Sequence, residues 1–528
     1  MNTRAKYRAI WLRLRIHLHA LRSAPWAYLT ATWWQLRGKR VRSRAQFAAL
    51  LAVSPLAYRL WLLRETAPAQ TNAAGPPLIA LIDVAGGQTP DATLRSLVSE
   101  GIAAIVVGTP QIPTPAHACP CIDWRDNPWI LPLVAGDILA RGAAATYRNA
   151  GQRTAARLIY ADDDLQDQHG QRHTPHFKPQ WNEELFRHFD YLGGACIVKT
   201  SAQTLAAVSG PDWATRLVNT VLAQGSEVLH IPNVLHHRRV RPLPRIPALP
   251  AASEGLPLVS VIVPTRNRLD LLRTCLEGLS RTDYPAMEII IVDNDSDDAA
   301  TLAYLAALDP ARHRVLRVAE PFNFSTLNNR AVACARGQLL CLLNNDIEIL
   351  APLWLRIMAQ QALRDEVGAV GACLLYPDGR IQHAGVVLGI GGAAAHAHRL
   401  LYPNQEGYFS RHALPQFISA VTAACLVVQR ERFEAVGGFD EQNFAVAFND
   451  VDLCLRLNAR GWQSFYEPRA TLIHKESTSR GRDRDSISAA RFDAELAALR
   501  KRWGTQETAD PFHHPQLSQL SERFGVRI

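Results

Sequence analysis

The stretch VSVIVPTRNRLDLLRTCLEGL, Val259 to Leu279, decides the fold. Val259–Val263 is a short apolar run without alternation, the pattern of a strand buried on both faces. A polar break follows at Pro264-Thr265-Arg266-Asn267, and Leu269–Ser280 then takes up helical periodicity. The same unit recurs downstream. Glu288–Val292, Val315–Val318 and Gln338–Leu343 predict further buried strands, and Ala299–Leu308, Ser325–Arg336 and Leu353–Leu363 predict the helices between them. Strict alternation predicts an α/β fold with a mostly parallel, doubly wound sheet. Ligands of such sheets bind beyond the carboxyl ends of the strands. The polar clusters fall there: Pro264-Thr265-Arg266-Asn267, Asp293-Asn294-Asp295-Ser296 and Asn344-Asn345-Asp346.

Upstream lies a weaker copy. Leu158-Ile159-Tyr160 matches Leu374-Leu375-Tyr376, and Ala195-Cys196-Ile197-Val198 matches Ala424-Cys425-Leu426-Val427. Asp212 precedes His237 at nearly the spacing by which Asp450 precedes His474. Duplication followed by divergence accounts for these matches. The earlier copy is shorter by about one strand-helix unit, such units being ~30 residues. Five prolines between Arg241 and Pro257 predict a semi-rigid linker. The predicted organisation is a basic helical segment (1–74), a reduced domain (75–240), the linker (241–257), a complete domain (258–505) and a tail (506–528).

The 528 residues are 48% hydrophobic and 20% charged, which excludes disorder throughout and a disulfide-stapled miniprotein. Nine cysteines and an opening that mixes charges among apolar residues, unlike a secretory leader, predict reduced thiols in the cytoplasm. The net charge of +9 is uneven: residues 1–64 hold thirteen Lys/Arg and no acid, and the remainder is slightly acidic. This argues against a nucleic-acid-binding core and for a basic arm facing an anionic surface. Tyr7, Ile10, Trp11, Leu14, Leu18 and Leu21 form one helical stripe, which Leu12 and Ile16 interrupt, and five of the twelve tryptophans lie in this arm. The stripe is read either as an in-plane membrane helix or as a helix docked on the protein itself. Phe47–Leu63 contains Pro55 and Arg59 and is read as packed or interfacial, not spanning.

Asp346, beside two asparagines at a strand end, suits a divalent cation shared with diphosphate oxygens, or caps a helix. Asp293 would accept hydrogen bonds from a nucleoside, or closes an Asx turn. Asp450 would be a general base, or complements a helix dipole. His474 would be a further cation ligand, or a buried hydrogen-bonded histidine. His383, His396 and His398 fall in or beside a Gly/Ala-rich stretch, Gly385–Ala397, read as a loop near the site.

Together VSVIVPTRNRLDLLRTCLEGL, YPAMEIIIVDNDS (from Tyr284), LNNRAVACARGQLLCLLNNDIEI (from Leu327) and VGGFDEQNFAVAFNDVDLCLRLNARG (from Val436) resemble glycosyltransferase family 2, whose catalytic domain has the GT-A fold. IQHAGVVLG from Ile381 and the His-Lys-Glu-Ser at His474 resemble its rhamnosyltransferase and O-antigen branch, and FKPQWNEELF from Phe177 its tandem members. The resemblance implies inverting sugar transfer from a nucleoside diphosphate. It implies that Pro264, Thr265, Asn267, Asp293, Asn344 and Asn345 hold the donor. Asp346 and His474 would hold Mg²⁺ or Mn²⁺, and Asp450 would be the base. Asn344 and Asn449 stand where many members have acids. The implied partners are a nucleoside-diphosphate sugar, a glycan or lipid-linked glycan acceptor and, through residues 1–64, the inner face of the plasma membrane. A second reading is a pseudo-transferase that binds without turnover. A nucleotidyltransferase would want glycines after the first strand, and Pro264-Thr265-Arg266-Asn267 has none.

Overall fold

The computed structural model describes residues 3–65, 75–250, 255–475 and 486–528. Parts of the basic arm and linker, and Glu476 and Ser477 of the His-Lys-Glu-Ser string, lie outside the described residues.

The arm forms four helices: α1 (Thr3–Ser23), α2 (Pro25–Leu36), α3 (Arg40–Ala52) and α4 (Ala57–Leu62). Pro25 starts α2 at a position where its missing N–H costs nothing. The stripe of α1 faces outward, with Tyr7 71% and Leu14 66% exposed. Leu12 and Ile16, which interrupt that stripe, are the residues that pack inward against Leu60. Phe47–Leu63 is broken between α3 and α4, and among the described residues no helix is long and apolar enough to cross a membrane.

The reduced domain contributes strands β1 (Leu78–Asp83), β2 (Ala103–Val107), β3 (Trp129–Val134), β4 (Ile138–Leu139), β5 (Leu158–Gln166), β6 (Arg172–His176), β7 (Cys196–Lys199) and β8 (Val228–Arg238). The complete domain contributes β9 (Val259–Thr265), β10 (Met287–Asp293), β11 (His313–Arg317), β12 (Leu339–Leu343), β13 (Ile347–Ile349), β14 (Val367–Leu375), β15 (Ile381–His383), β16 (Val386–Leu388), β17 (Ala394–His396), β18 (Gln416–Ile418), β19 (Cys425–Gln429) and β20 (Gln463–His474).

The two main sheets run β2-β1-β3-β7-β5-β8-β4 and β11-β10-β9-β12-β19-β14-β20-β13. Strand for strand, and in the sense of every shared pairing, the first repeats the second without β11. The missing unit is therefore β11 and the helix Ala299–Ala306 before it. This is the α/β, GT-A-type organisation that the resemblance implies. The parallel run β11-β10-β9-β12 is interrupted by β19, which returns antiparallel between β12 and β14, and β14 and β20 form a further parallel pair. β11 is an edge strand with Val315 40% exposed, not the buried strand its apolar residues predict.

Register corrects one match between the copies. Ile197 pairs with Ile159 as Leu426 pairs with Gly371. Leu158-Ile159-Tyr160 thus corresponds to Val370-Gly371-Ala372, and Leu374-Leu375-Tyr376 corresponds to Asp162-Asp163-Asp164. Short apolar strings fit any buried strand, so pairing rather than composition fixes their alignment.

Those three aspartates, all buried, tie distant segments together. Asp162 holds His230 and, at 2.9 Å, His514 of the tail. Asp163 pairs with Lys178 at 2.8 Å and with Arg241 of the linker. Asp164 accepts from Tyr58 of α4 at 2.6 Å and also meets Arg172 and His237. FKPQWNEELF lies between the domains: Phe177 exchanges hydrogen bonds with Tyr408, Asn182 with the backbone of Phe417, and Glu184 pairs with Arg364.

Asp163→Ala would strand the fully buried Lys178 ammonium and is expected to cost about 3–5 kcal/mol. Urea unfolding measures this; a loss below about 1 kcal/mol would place the pair with ordinary surface ion pairs.

Candidate functional site

The second sheet opens a cavity of about 470 Å³ at the ends of β9 and β12. Pro264, Thr265, Asn267, Asn344, Asn345 and Asp346 all line it, beside Asn294, Phe322, Phe324 and Arg491. The parallel pairing that sets Thr265 opposite Asp293 puts both strand ends on this rim. Asp293 itself is buried behind the lining, where its Oδ1 accepts the N–H of Ser296, three residues on, at 3.0 Å; its neighbour Asn294 reaches the cavity. Asn267 takes a left-handed φ of 53° and spends its side chain on Asp297 and Asp298. Asn345 donates to the Thr265 hydroxyl at 3.0 Å, fixing one rim residue by another.

β13 pairs antiparallel with the end of β20, and this brings Asp346 to His474: Nε2 lies 3.1 Å from Asp346 Oδ1 and 3.4 Å from Asn344 Nδ2. His474 Nδ1 meets the side-chain Oε1 of Gln382 at 2.7 Å. That contact holds the imidazole ring with Nε2 toward the Asp346 carboxylate. A carboxylate and an imidazole side by side, the ring held by a neighbouring amide, are ligand types that a divalent cation takes.

Asp450 lies in the first turn of the helix Asn449–Asn458 and accepts from the N–H groups of Val451 and Ala423. Ala424, next along, accepts the Asn344 N–H at 2.9 Å, so one segment anchors both Asp450 and the strand end that carries Asp346. Burial raises the pKa of Asp450 against the pull of these donors. Asp452 is used differently, on Arg456, Arg502 and Trp503.

The stretch Gly385–Ala397, read as a loop, contains the β16–β17 hairpin. His383 and His396 meet Nδ1 to Nδ1 at 2.8 Å, both kept neutral by burial, while His383 Nε2 accepts the Thr422 N–H beside Ala423. His398 turns instead to the tail, stacked on Phe524. Gln382 and Ala423 escape a reading by residue type because one is an uncharged amide and the other acts through its backbone. Arg491 comes from the helix Ser486–Trp503, which carries no motif.

A cleft at parallel strand ends, with an amide-rich rim and an aspartate-histidine contact, is the arrangement expected of the GT-A fold. Residues 260–430 match the model of glycosyl transferase family 2, and the chain carries a family 2 glycosyltransferase domain. It is 41% identical over 414 residues to the uncharacterized protein y4gI of Sinorhizobium fredii, spanning 69% of this chain and 45% of that one. It is 36% identical over 419 residues to the O-antigen biosynthesis protein RfbC of Myxococcus xanthus, spanning 70% and 32%. Over 70 residues it is 46% identical to the N-acetylglucosaminyl-diphospho-decaprenol L-rhamnosyltransferase of Mycobacterium tuberculosis, spanning 13% and 22%. The chain thus spans less than half the length of each of these relatives.

Because folding raises its pKa, Asp450 ionises first in the unfolded chain, and its carboxylate costs stability increasingly as pH rises above about 4. The melting temperature of Asp450→Asn minus that of the native chain is expected to grow as pH rises above that value and to level off once Asp450 is ionised in the folded chain too. Calorimetric scans across this range check it, and a difference that is flat throughout or shrinks contradicts the assigned burial.

Proposed function

We propose that the second domain transfers a glycosyl group, with inversion, from a nucleoside-diphosphate sugar to a hydroxyl of a surface-polysaccharide acceptor. The observation that supports this is the gathering of two chemistries at one strand end: Asp346, which lines the cavity, beside His474 on one strand pair, and Asp450, behind the lining, fixed through Ala423 to the same strand end. The raised pKa makes Asp450 a stronger base than an ordinary aspartate, suited to taking the acceptor's hydroxyl proton. Asp346 and His474 would hold Mg²⁺ or Mn²⁺, which would neutralise charge on the departing diphosphate. Thr265, Asn294 and Asn345 would orient the donor.

Asp450→Asn is expected to lower turnover by about 10²–10⁴ while a nucleoside-diphosphate sugar still raises the melting temperature. Asp346→Ala is expected to lose both, as is Gln382→Ala in part, through about 10–100-fold weaker cation binding. Near-normal turnover by Asp450→Asn would remove it as the base. Donor binding without turnover by the native chain would favour the pseudo-transferase.

The acceptor we propose is lipid-linked, presented at the inner face of the plasma membrane. Supporting this, α1 and α2 expose Tyr7, Trp11, Leu14, Trp26, Trp33 and Leu36 beside the thirteen basic residues. Aromatic rings favour the interface, and each Lys/Arg near anionic lipid contributes ~1 kcal/mol. α4 is bound to the first domain through Tyr58 and to the tail through Trp61, so substitution tests the arm better than truncation. Replacing Trp11, Leu14, Trp26 and Trp33 by serine is expected to abolish salt-sensitive co-sedimentation with anionic vesicles. Unchanged partitioning would exclude a membrane role for this face.

A further inference from the structure

A larger cleft, of about 890 Å³, lies in the first domain. It occupies the position that corresponds to the transferase site. Asp137 precedes β4 as Asp346 precedes β13, and Ile138 pairs with His237 as Ile347 pairs with His474. The side chains then diverge. His237 turns away, its Nδ1 2.7 Å from Asp164. Asp137 accepts the Arg239 N–H at 2.9 Å, and the nearest cation to its other oxygen is Arg238 Nε at 3.7 Å. A guanidinium therefore stands beside Asp137, where the second domain sets a histidine beside Asp346. Gly194, at φ +78°, makes room for it: a Cβ there would lie 2.6 Å from Arg238 Nη2. A divalent cation at Asp137 would be repelled by this fixed charge.

The cleft is nonetheless built for charge. Arg187, Arg216, Arg238, Arg239, Arg241 and Arg245 line it against three aspartates. Arg187 and Arg241 are neutralised by Glu183 and Asp163. Arg238 is buried, 5% exposed, and its Nε has no hydrogen-bond partner among the described residues. Among the same residues Arg216, Arg239 and Arg245 pair with no carboxylate. Planar guanidinium forks match phosphate oxygens two at a time and need no metal to do so.

We infer that this cleft binds a diphosphate group without a divalent cation, Arg238 reaching it from below and Arg216, Arg239 and Arg245 from the rim. Two sources share that chemistry: a nucleoside diphosphate and the diphosphate of a lipid-linked glycan. The site does not depend on catalysis in the second domain.

Calorimetric titration of the full chain with pyrophosphate in excess EDTA tests it. Saturable binding is expected, and Arg216→Ala with Arg239→Ala should weaken it by about tenfold or more. Asp346→Ala should leave it intact, which separates this site from the metal-dependent one. Arg245→Ala alters one exposed side chain and keeps the test decisive should the double variant misfold. Parallel titrations with UDP, GDP and farnesyl diphosphate assign the source: tighter binding of a nucleotide or of the lipid diphosphate supports the site and names its ligand. Absence of binding in EDTA, or binding that all the arginine variants retain, overturns the inference.

Discussion

Three consecutive carboxylates in β5 are the constraint on which the rest of the molecule depends. A buried carboxylate is tolerated only when cations and donors surround it. Asp162, Asp163 and Asp164 draw those partners from the tail, the linker and α4 respectively. Burial opposes ionisation of Asp162 and Asp163, but His514 and His230 around the first and Arg241 and Lys178 around the second prevail and hold both below the usual carboxylate range. The second domain has Leu374-Leu375-Tyr376 at the corresponding positions and needs no such partners. The first domain thus serves as the anchorage for everything added to the transferase fold.

Divergence between the copies has a matching logic at the clefts. Both place an aspartate before a short strand paired with the end of a long one. In the second domain, Gln382 orients His474 toward that aspartate, and the pair would hold a cation in the proposed mechanism. In the first, His237 is committed to Asp164 and an arginine takes its place. A metal ion and a cluster of guanidiniums are alternative means of stabilising phosphate charge. The sequence difference is small: each copy keeps its aspartate and histidine, and the change lies in what surrounds them.

Much of this was legible from residue order alone. The apolar runs from Val259 to Leu343 and the helices between them need only local periodicity, and the helix Leu269–Ser280 forms with the predicted bounds. The duplication was legible because chemical strings such as Ala-Cys-Ile-Val survive divergence. What escaped was decided by pairing. Val315 is apolar yet exposed because β11 ends the sheet, and no local pattern records where a sheet stops. Leu12 and Ile16 disturb an amphipathic stripe, and only the packing of α4 shows that they are the inward face. What residue type does not record is that Asp293 and Asn267 also hold the loop's own shape through their side chains.

The central claim is that duplication produced one metal-dependent cleft and one metal-free cleft. Counting the Mn²⁺ ions bound per chain, by electron paramagnetic resonance titration at saturating nucleoside diphosphate, tests it most directly. The account predicts one ion, lost in Asp346→Ala and retained in Asp137→Ala. Two ions, or one that survives Asp346→Ala, would contradict it.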